Sequence, residues 1–192
     1  MEYNTYRTKD MDAERELARF LDKYLYTNDI FTRAERTDNV TNQIGGSDII
    51  LSIPSLGIFD AVVDEKASIY YINKDLKTFV LEISFLNRNR QYTEGWFIDD
   101  SISTAYYLMQ WIKANVEDPW QVKEKNITEI ECVLVSKVKL KEYFANEGYD
   151  KTRLLQIAQS MRASNRAMIA PAGKPYRFYY TRKLAERPVN IL

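Results

Sequence analysis

Between Ser47 and Leu86 the chain runs through three apolar, β-branched segments broken by turn residues, and a stretch of that kind has to be built into a sheet. Ser47 to Ile53, SDIILSI, is stopped by Pro54, Ser55 and Gly57. Ile58 to Ile72 reads as a long, bent strand, and the turn Asn73-Lys74-Asp75 leads into Thr78 to Leu86, TFVLEISFL. Strands joined by turns this short pair antiparallel.

On either side the apolar period changes. From Asp12 onward, Leu17, Phe20, Leu21, Tyr24 and Leu25 follow the spacing of a helix with one buried stripe. Asp10 or Asp12 is placed to cap it, with Glu14 and Glu16 in a first turn where the helix dipole favours negative charge. A short strand at Ile30 to Arg36 and a polar loop ending at Gly45-Gly46 follow. Ile102, Ala105, Tyr106, Met109 and Ile112 repeat the helical spacing and predict a second helix over about Asp100 to Ala114. Glu129 to Ser136, EIECVLVS, is a strand able to return parallel to an earlier one. Helices at Leu140 to Asn146 and Thr152 to Ala163 precede the breakers Pro171, Gly173 and Pro175 and a last strand at Tyr176 to Thr181. The expectation is an α/β (α+β) fold: a central mixed β-sheet flanked by helices, with a C-terminal helical and strand extension. With 192 residues, no repeat and no long linker, the chain reads as a single domain, its core at about 12–137 and a basic extension at 151–192.

Two residue counts exclude whole classes of chemistry. There is no histidine, so the chain has no imidazole nucleophile partner, acid, base or metal ligand. A single cysteine, Cys132, forms no internal disulfide and no multi-cysteine zinc site. Catalysis would have to rest on carboxylates, lysine, tyrosine or an oxygen-bound metal. No run approaches the roughly 18 apolar residues of a membrane span, and the start lacks the order of a signal peptide. The expectation is a soluble, cytoplasmic protein without a membrane partner.

The formal net charge is zero, yet residues 151–192 hold nine basic side chains against one acid, Glu186. An anionic partner at the basic end is the implied consequence, with mutual neutralisation inside the fold as the alternative. Arg177, Arg182, Lys183 and Arg187 are interleaved with Tyr176, Phe178, Tyr179 and Tyr180, a pattern that suits phosphate contact beside base stacking. The same alternation suits a plain edge strand with Tyr176, Phe178 and Tyr180 inward and Arg177 outward. Tyr106, Tyr107, Met109 and Trp111 are expected in the core.

Asp48 opens SDIILSI just after a double glycine, and Asp64, Glu65 and Lys66 lie together in FDAVVDEKAS. Strand side chains alternate, so Asp64 and Lys66 point one way and Glu65 the other. If the two strands pair, Asp48 comes close to Asp64, and the repulsion between two carboxylates is relieved by a hard divalent cation such as magnesium. Lysine beside them adds a fixed positive charge able to stabilise a reacting phosphate. The structural alternative is an Asp64/Lys66 pair on a solvated face, with Asp48 capping the turn after Gly46. Gln43 is a candidate water-positioning amide or a turn residue.

These residues resemble the signature of the PD-(D/E)XK nucleases, which have the restriction-endonuclease-like fold. GGSDIIL matches the first acid at Asp48, and VVDEKAS matches the acid-any-lysine triplet at Asp64 and Lys66. Ser47 stands where the family has its proline, and Asp64 where glutamate is commoner. The resemblance covers roughly residues 12–137 and implies a further acid on the preceding helix, for which Glu14 is the choice and Glu16 the competitor. A second registration would start at Asp64 and use Glu82 with Ser84, without the lysine. The resemblance implies a metal-dependent nuclease acting on nucleic acid, DNA before RNA. Asp48, Asp64 and Glu14 would be the Mg2+ or Mn2+ ligands, Lys66 would assist water, and Arg177, Arg182, Lys183 and Arg187 would contact the nucleic acid. The alternatives are a catalytically silent nucleic-acid-binding or assembly protein of the same fold, of phage or mobile-element origin, and an interaction module in which the charge split drives homodimer formation.

Overall fold

A computed structural model describes residues 3–37, 47–76 and 78–192, with side chains of the first helix from residue 9. The elements are α1 (Tyr3–Tyr24), β1 (Arg33–Arg36), β2 (Ile49–Ile53), β3 (Ile58–Ala67), β4 (Leu81–Leu86), β5 (Tyr92–Glu94), β6 (Tyr106–Ala114), β7 (Ile127–Ser136), α2 (Lys137–Asn146), α3 (Lys151–Ala163), β8 (Met168–Ile169), β9 (Phe178–Tyr180) and β10 (Val189–Ile191). The fold is α+β, with two five-stranded sheets, one of them mixed. Two compact units share the chain, Met1–Lys77 with Thr104–Val135 and Thr78–Ser103 with Ser136–Leu192. Among the described residues no helix is long and apolar enough to cross a membrane.

The first unit carries the sheet β1-β2-β3-β6-β7, in which spatial order follows sequence order. β1/β2 and β2/β3 pair antiparallel, with Ile49 opposite Val63 and Leu51 opposite Ala61, whereas β3 and β6 run parallel, with Val63 beside Tyr106 and Asp64 beside Tyr107. One face is covered by α1: Leu21 packs with Ile49, Leu51, Val63 and Leu108, and Ala13 and Leu17 pack with Ile69, Ile72, Ile112 and Val122. Each fully buried Leu or Ile contributes about 1.5–3 kcal/mol. Because side chains alternate, Asp48, Asp64 and Lys66 share the face that α1 does not cover.

Two expectations need correction here. α1 begins at Tyr3, so Asp10 and Asp12 are interior to it and do not cap it, and Glu14 and Glu16 are not in its first turn. The segment expected as a second helix over about Asp100 to Ala114 is not helical, and Tyr106–Ala114 is a strand. Tyr107 and Met109 are buried on one face, Leu108, Gln110 and Ile112 on the other. A strand buried on both faces is apolar throughout, so it satisfies a helical spacing as readily as an alternating one, and sheet pairing decides.

The second unit carries the antiparallel sheet β5-β4-β10-β9-β8. α3, capped by Asp150 accepting from the Arg153 amide at 2.8 Å, buries Leu154, Ile157, Ala158 and Met161. The expected inward set Tyr176, Phe178 and Tyr180 is buried and Arg177 is exposed, but β9 is flanked by β10 and β8 and is not an edge strand. Gly95 lies against β4, and a Cβ there would sit 2.4 Å from the Glu82 carbonyl oxygen. Since the obstacle is backbone, Gly95→Ala is expected to cost about 1–3 kcal/mol or more, read as a lowered thermal midpoint of this unit.

Candidate functional site

The β2/β3 pairing sets Asp48 next to the acid-any-lysine triplet. The Asp48 amide donates to the Val63 carbonyl at 3.0 Å, and the Asp48 Oδ2 accepts from the Glu65 amide at 2.7 Å. Its carboxyl is thereby anchored beside the residue that follows Asp64, and one step beyond the Ile49/Val63 pair Asp48 stands across from Asp64 on the neighbouring strand. Asp64 is 4% exposed. Lys66 Nζ lies 2.8 Å from Asp64 Oδ2, with about a third of the lysine side chain open to solvent. Tyr107, fully buried on β6, stands beside Asp64 in the register. Burial and the Asp64 charge push its hydroxyl well above the usual phenol range, so it stays protonated.

Burial first, then the charge of Asp64, pushes the Asp48 carboxyl up to about 6, against the Glu65 amide and Lys66, which pull it down. A carboxyl with a raised folded-state pKa binds more protons folded than unfolded, so its contribution to stability is lost as pH rises from about 4 through 6. In EDTA, Asp48→Asn is therefore expected to gain on the wild type by about 1–2 kcal/mol over that range and to hold the gain above it. Paired urea titrations at pH 4 and pH 7 measure this, and a difference that does not change with pH would refute it.

The acid-pair face does not include every expected partner. Glu14 is exposed on α1, whose buried side packs against the opposite face of the sheet, so it is not brought to Asp48 and Asp64. Glu16, its competitor, accepts from the Glu124 amide at 3.0 Å and pairs with Arg19 and Lys123, which fastens α1 to a loop. Among the described residues, no group of three or more acidic or cysteine side chains is placed to hold a metal. Glu65 faces α1, where it accepts from Tyr26 at 2.5 Å and Arg36 at 2.8 Å. Glu82 and Ser84 sit on β4, in the sheet that does not contain β3, so the second registration has no paired strand to stand on. Gln43 lies outside the described residues.

As a donor set, the buried Asp64 carboxylate, the partly buried Asp48 carboxylate and one lysine leave the cluster negative when both acids are ionised, and hard oxygen donors suit Mg2+ or Mn2+. Asp48 retains one oxygen beyond the Glu65 amide bond, and the register sets it across from Asp64 on the next strand, so the pair fits a shared small cation.

Of the four expected nucleic-acid contacts, Arg182, Lys183 and Arg187 line one surface pocket of the second unit, and Arg177 does not. Its backbone instead pairs with Leu192 through both N–H and C=O. Arg88 and Arg90 line the same pocket and were not anticipated. The signal was present in the loop sequence NRNRQ, but charge counted along the chain gave it no weight beside the basic 151–192 stretch.

No family model, curated protein or solved structure matches this chain.

Proposed function

We propose that the chain is a metal-dependent nuclease that hydrolyses phosphodiester bonds in nucleic acid, with Asp48 and Asp64 as ligands of Mg2+ or Mn2+ and Lys66 as the cationic assistant. The observation that carries this reading is the register that sets two carboxylates across from each other on neighbouring antiparallel strands, with Lys66 Nζ 2.8 Å from one of them. It is also the arrangement implied by the resemblance to the PD-(D/E)XK nucleases, from which the preference for DNA over RNA is taken. A bound cation would supply Lewis acidity to a phosphoryl oxygen and a lowered pKa to water. The chain's own part is positional and electrostatic. The Glu65 amide fixes the Asp48 carboxylate, Asp64 orients the Lys66 amine, and that amine offsets negative charge growing on the phosphate. Glu14 has no place in this site. A cytoplasmic setting is consistent with a lone, half-buried cysteine.

One observation favours a second reading, in which the protein binds or assembles on nucleic acid without cutting it. The Lys66 amine already neutralises Asp64, and among the described residues no third carboxylate completes a metal group. Incubation with single-stranded and duplex DNA and RNA, each with Mg2+, Mn2+ or EDTA, separates the two. Cleavage confined to the metal arms is expected, and intact substrate in every arm together with retained binding would establish the second reading.

A further inference from the structure

The second unit contains 14 basic and 8 acidic residues, so of the 27 of each sign the first unit keeps 13 basic and 19 acidic. The excess is gathered. Loop 87–91, between β4 and β5, and loop 181–188, between β9 and β10, wall a surface pocket of about 660 Å3 lined by Arg88, Arg90, Arg182, Lys183 and Arg187, with Tyr92 at its side and no carboxylate. Several cations elsewhere in the unit do have acidic partners: Lys141 and Lys151 pair with Asp100, Lys151 also with Glu94, and Lys174 with Glu147. None of the five pocket cations forms an ion pair among the described residues. Like charges drawn into one concavity repel one another, and an anion relieves that repulsion.

The walls are held before any ligand arrives. The Leu86 amide donates to the Glu186 carbonyl at 2.6 Å, tying one loop to the other, and the Asn87 side chain accepts from the Asn89 and Gln91 amides. Among the described residues, five that are not glycine have positive φ. Three are Asp or Asn, which tolerate that region, and the other two are Arg90 at 58° and Arg187 at 42°, both in this pocket. Arginine in that conformation costs of order 1 kcal/mol and persists where surrounding structure imposes it. The Arg162 guanidinium lies 3.9 Å from the Tyr92 ring centroid and donates to the Ser84 carbonyl at 2.9 Å and the Arg187 carbonyl at 3.4 Å. This fixes the ring beside the pocket while 49% of Tyr92 stays exposed.

We propose that this pocket binds single-stranded nucleic acid, the five cations taking backbone phosphates and Tyr92 stacking on one unpaired base. A base can lie on a tyrosine only when it has left a duplex stack, which is why the single strand is favoured over the double helix. The identity of the polyanion rests on the nuclease reading, whereas the pocket itself does not involve Asp48, Asp64 or Lys66.

The test is fluorescence anisotropy of the full chain in EDTA, where nothing is cut, with a short mixed-sequence DNA oligonucleotide, its duplex, and inorganic phosphate as competitor. Arg88→Ala/Arg90→Ala and Arg182→Ala/Lys183→Ala are each expected to weaken binding at least about tenfold. Each should lower the slope of log Kd against log salt by about 1.4, two phosphates at ~0.7 each. Tyr92→Ala should weaken single-strand binding roughly 5- to 150-fold and leave the duplex unaffected. Unchanged affinity in both double variants overturns the proposal, as does duplex binding as tight as single-strand binding with no effect of Tyr92→Ala. Phosphate that displaces the oligonucleotide at matched phosphate concentration overturns it in favour of a free-anion site. A chain that binds in this way but never cleaves retains the pocket and loses the nuclease reading. Cleavage with binding insensitive to the pocket variants does the reverse.

Discussion

Asp64→Asn is expected to lower metal-dependent cleavage by at least about 10³-fold, close to 4 kcal/mol of transition-state stabilisation. Asparagine keeps the shape of the side chain but loses the charge that pairs with Lys66 and that would hold a cation with Asp48. Lys66→Met should cost less, about 10²- to 10³-fold, because it removes one stabilising charge and leaves both carboxylates. Folding is not expected to account for either loss. Asp64→Asn also removes the like charge beside Asp48, so above pH 6 relief of that repulsion offsets the loss of the lysine partner. Initial rates on the preferred substrate, with thermal midpoints recorded on the same preparations, make the comparison. Rates within tenfold of the wild type in both variants would end the nuclease reading.

Arg36→Met is expected to lower the unfolding free energy by roughly 3 kcal/mol without touching the acid-pair face. Arg36 Nε bonds both oxygens of Asp22 at 2.7 and 2.9 Å, Nη1 reaches Glu65 at 2.8 Å, and Nη2 reaches the Ala18 carbonyl at 3.2 Å, joining β1, β3 and α1. Glu65 has only 11% of its side chain exposed. Without the arginine, its charge is left with the Tyr26 hydroxyl, which burial and Glu65 itself keep protonated. Desolvation without a partner is the source of the loss, so Arg36→Met/Glu65→Leu should recover most of it. Urea unfolding of the two variants beside the wild type checks this, and a double variant as unstable as the single one would assign the loss to packing.

Most of the strand-rich centre was legible because local signals agreed. SDIILSI is β-branched and ends at Pro54 and Gly57, and β2 occupies Ile49–Ile53 within it. Leu17 and Leu21 declared the buried side of α1. The failure at Tyr106–Ala114 has a physical origin, since YYLMQWIKA is apolar on both faces and carries no period of its own. Val189–Ile191 gave too short a run to be read at all, and it is a strand only because β4 and β9 lie on either side of it.

The acid pair was readable from Asp48, Asp64 and Lys66 because strand alternation and hairpin pairing are enough to bring them together. Glu14 was not, since its position depended on where α1 starts and on which face α1 covers, and neither is local information. Arg88 and Arg90 were missed for a similar reason. They join Arg182, Lys183 and Arg187 through the Leu86 to Glu186 hydrogen bond, across 100 residues of sequence.

β10 has a consequence for the order in which the chain becomes structured during synthesis. It is the middle strand of its sheet, with β4 and β5 on one side and β9 and β8 on the other. Until Val189–Ile191 has left the ribosome, the two halves have no common hydrogen-bonded partner, although β4 and β5 were made about 100 residues earlier. The sheet of the first unit, in contrast, has all five strands by Ser136. Cotranslational folding therefore runs from the acid pair toward the cationic pocket, whose two walls are first joined when the chain reaches Glu186.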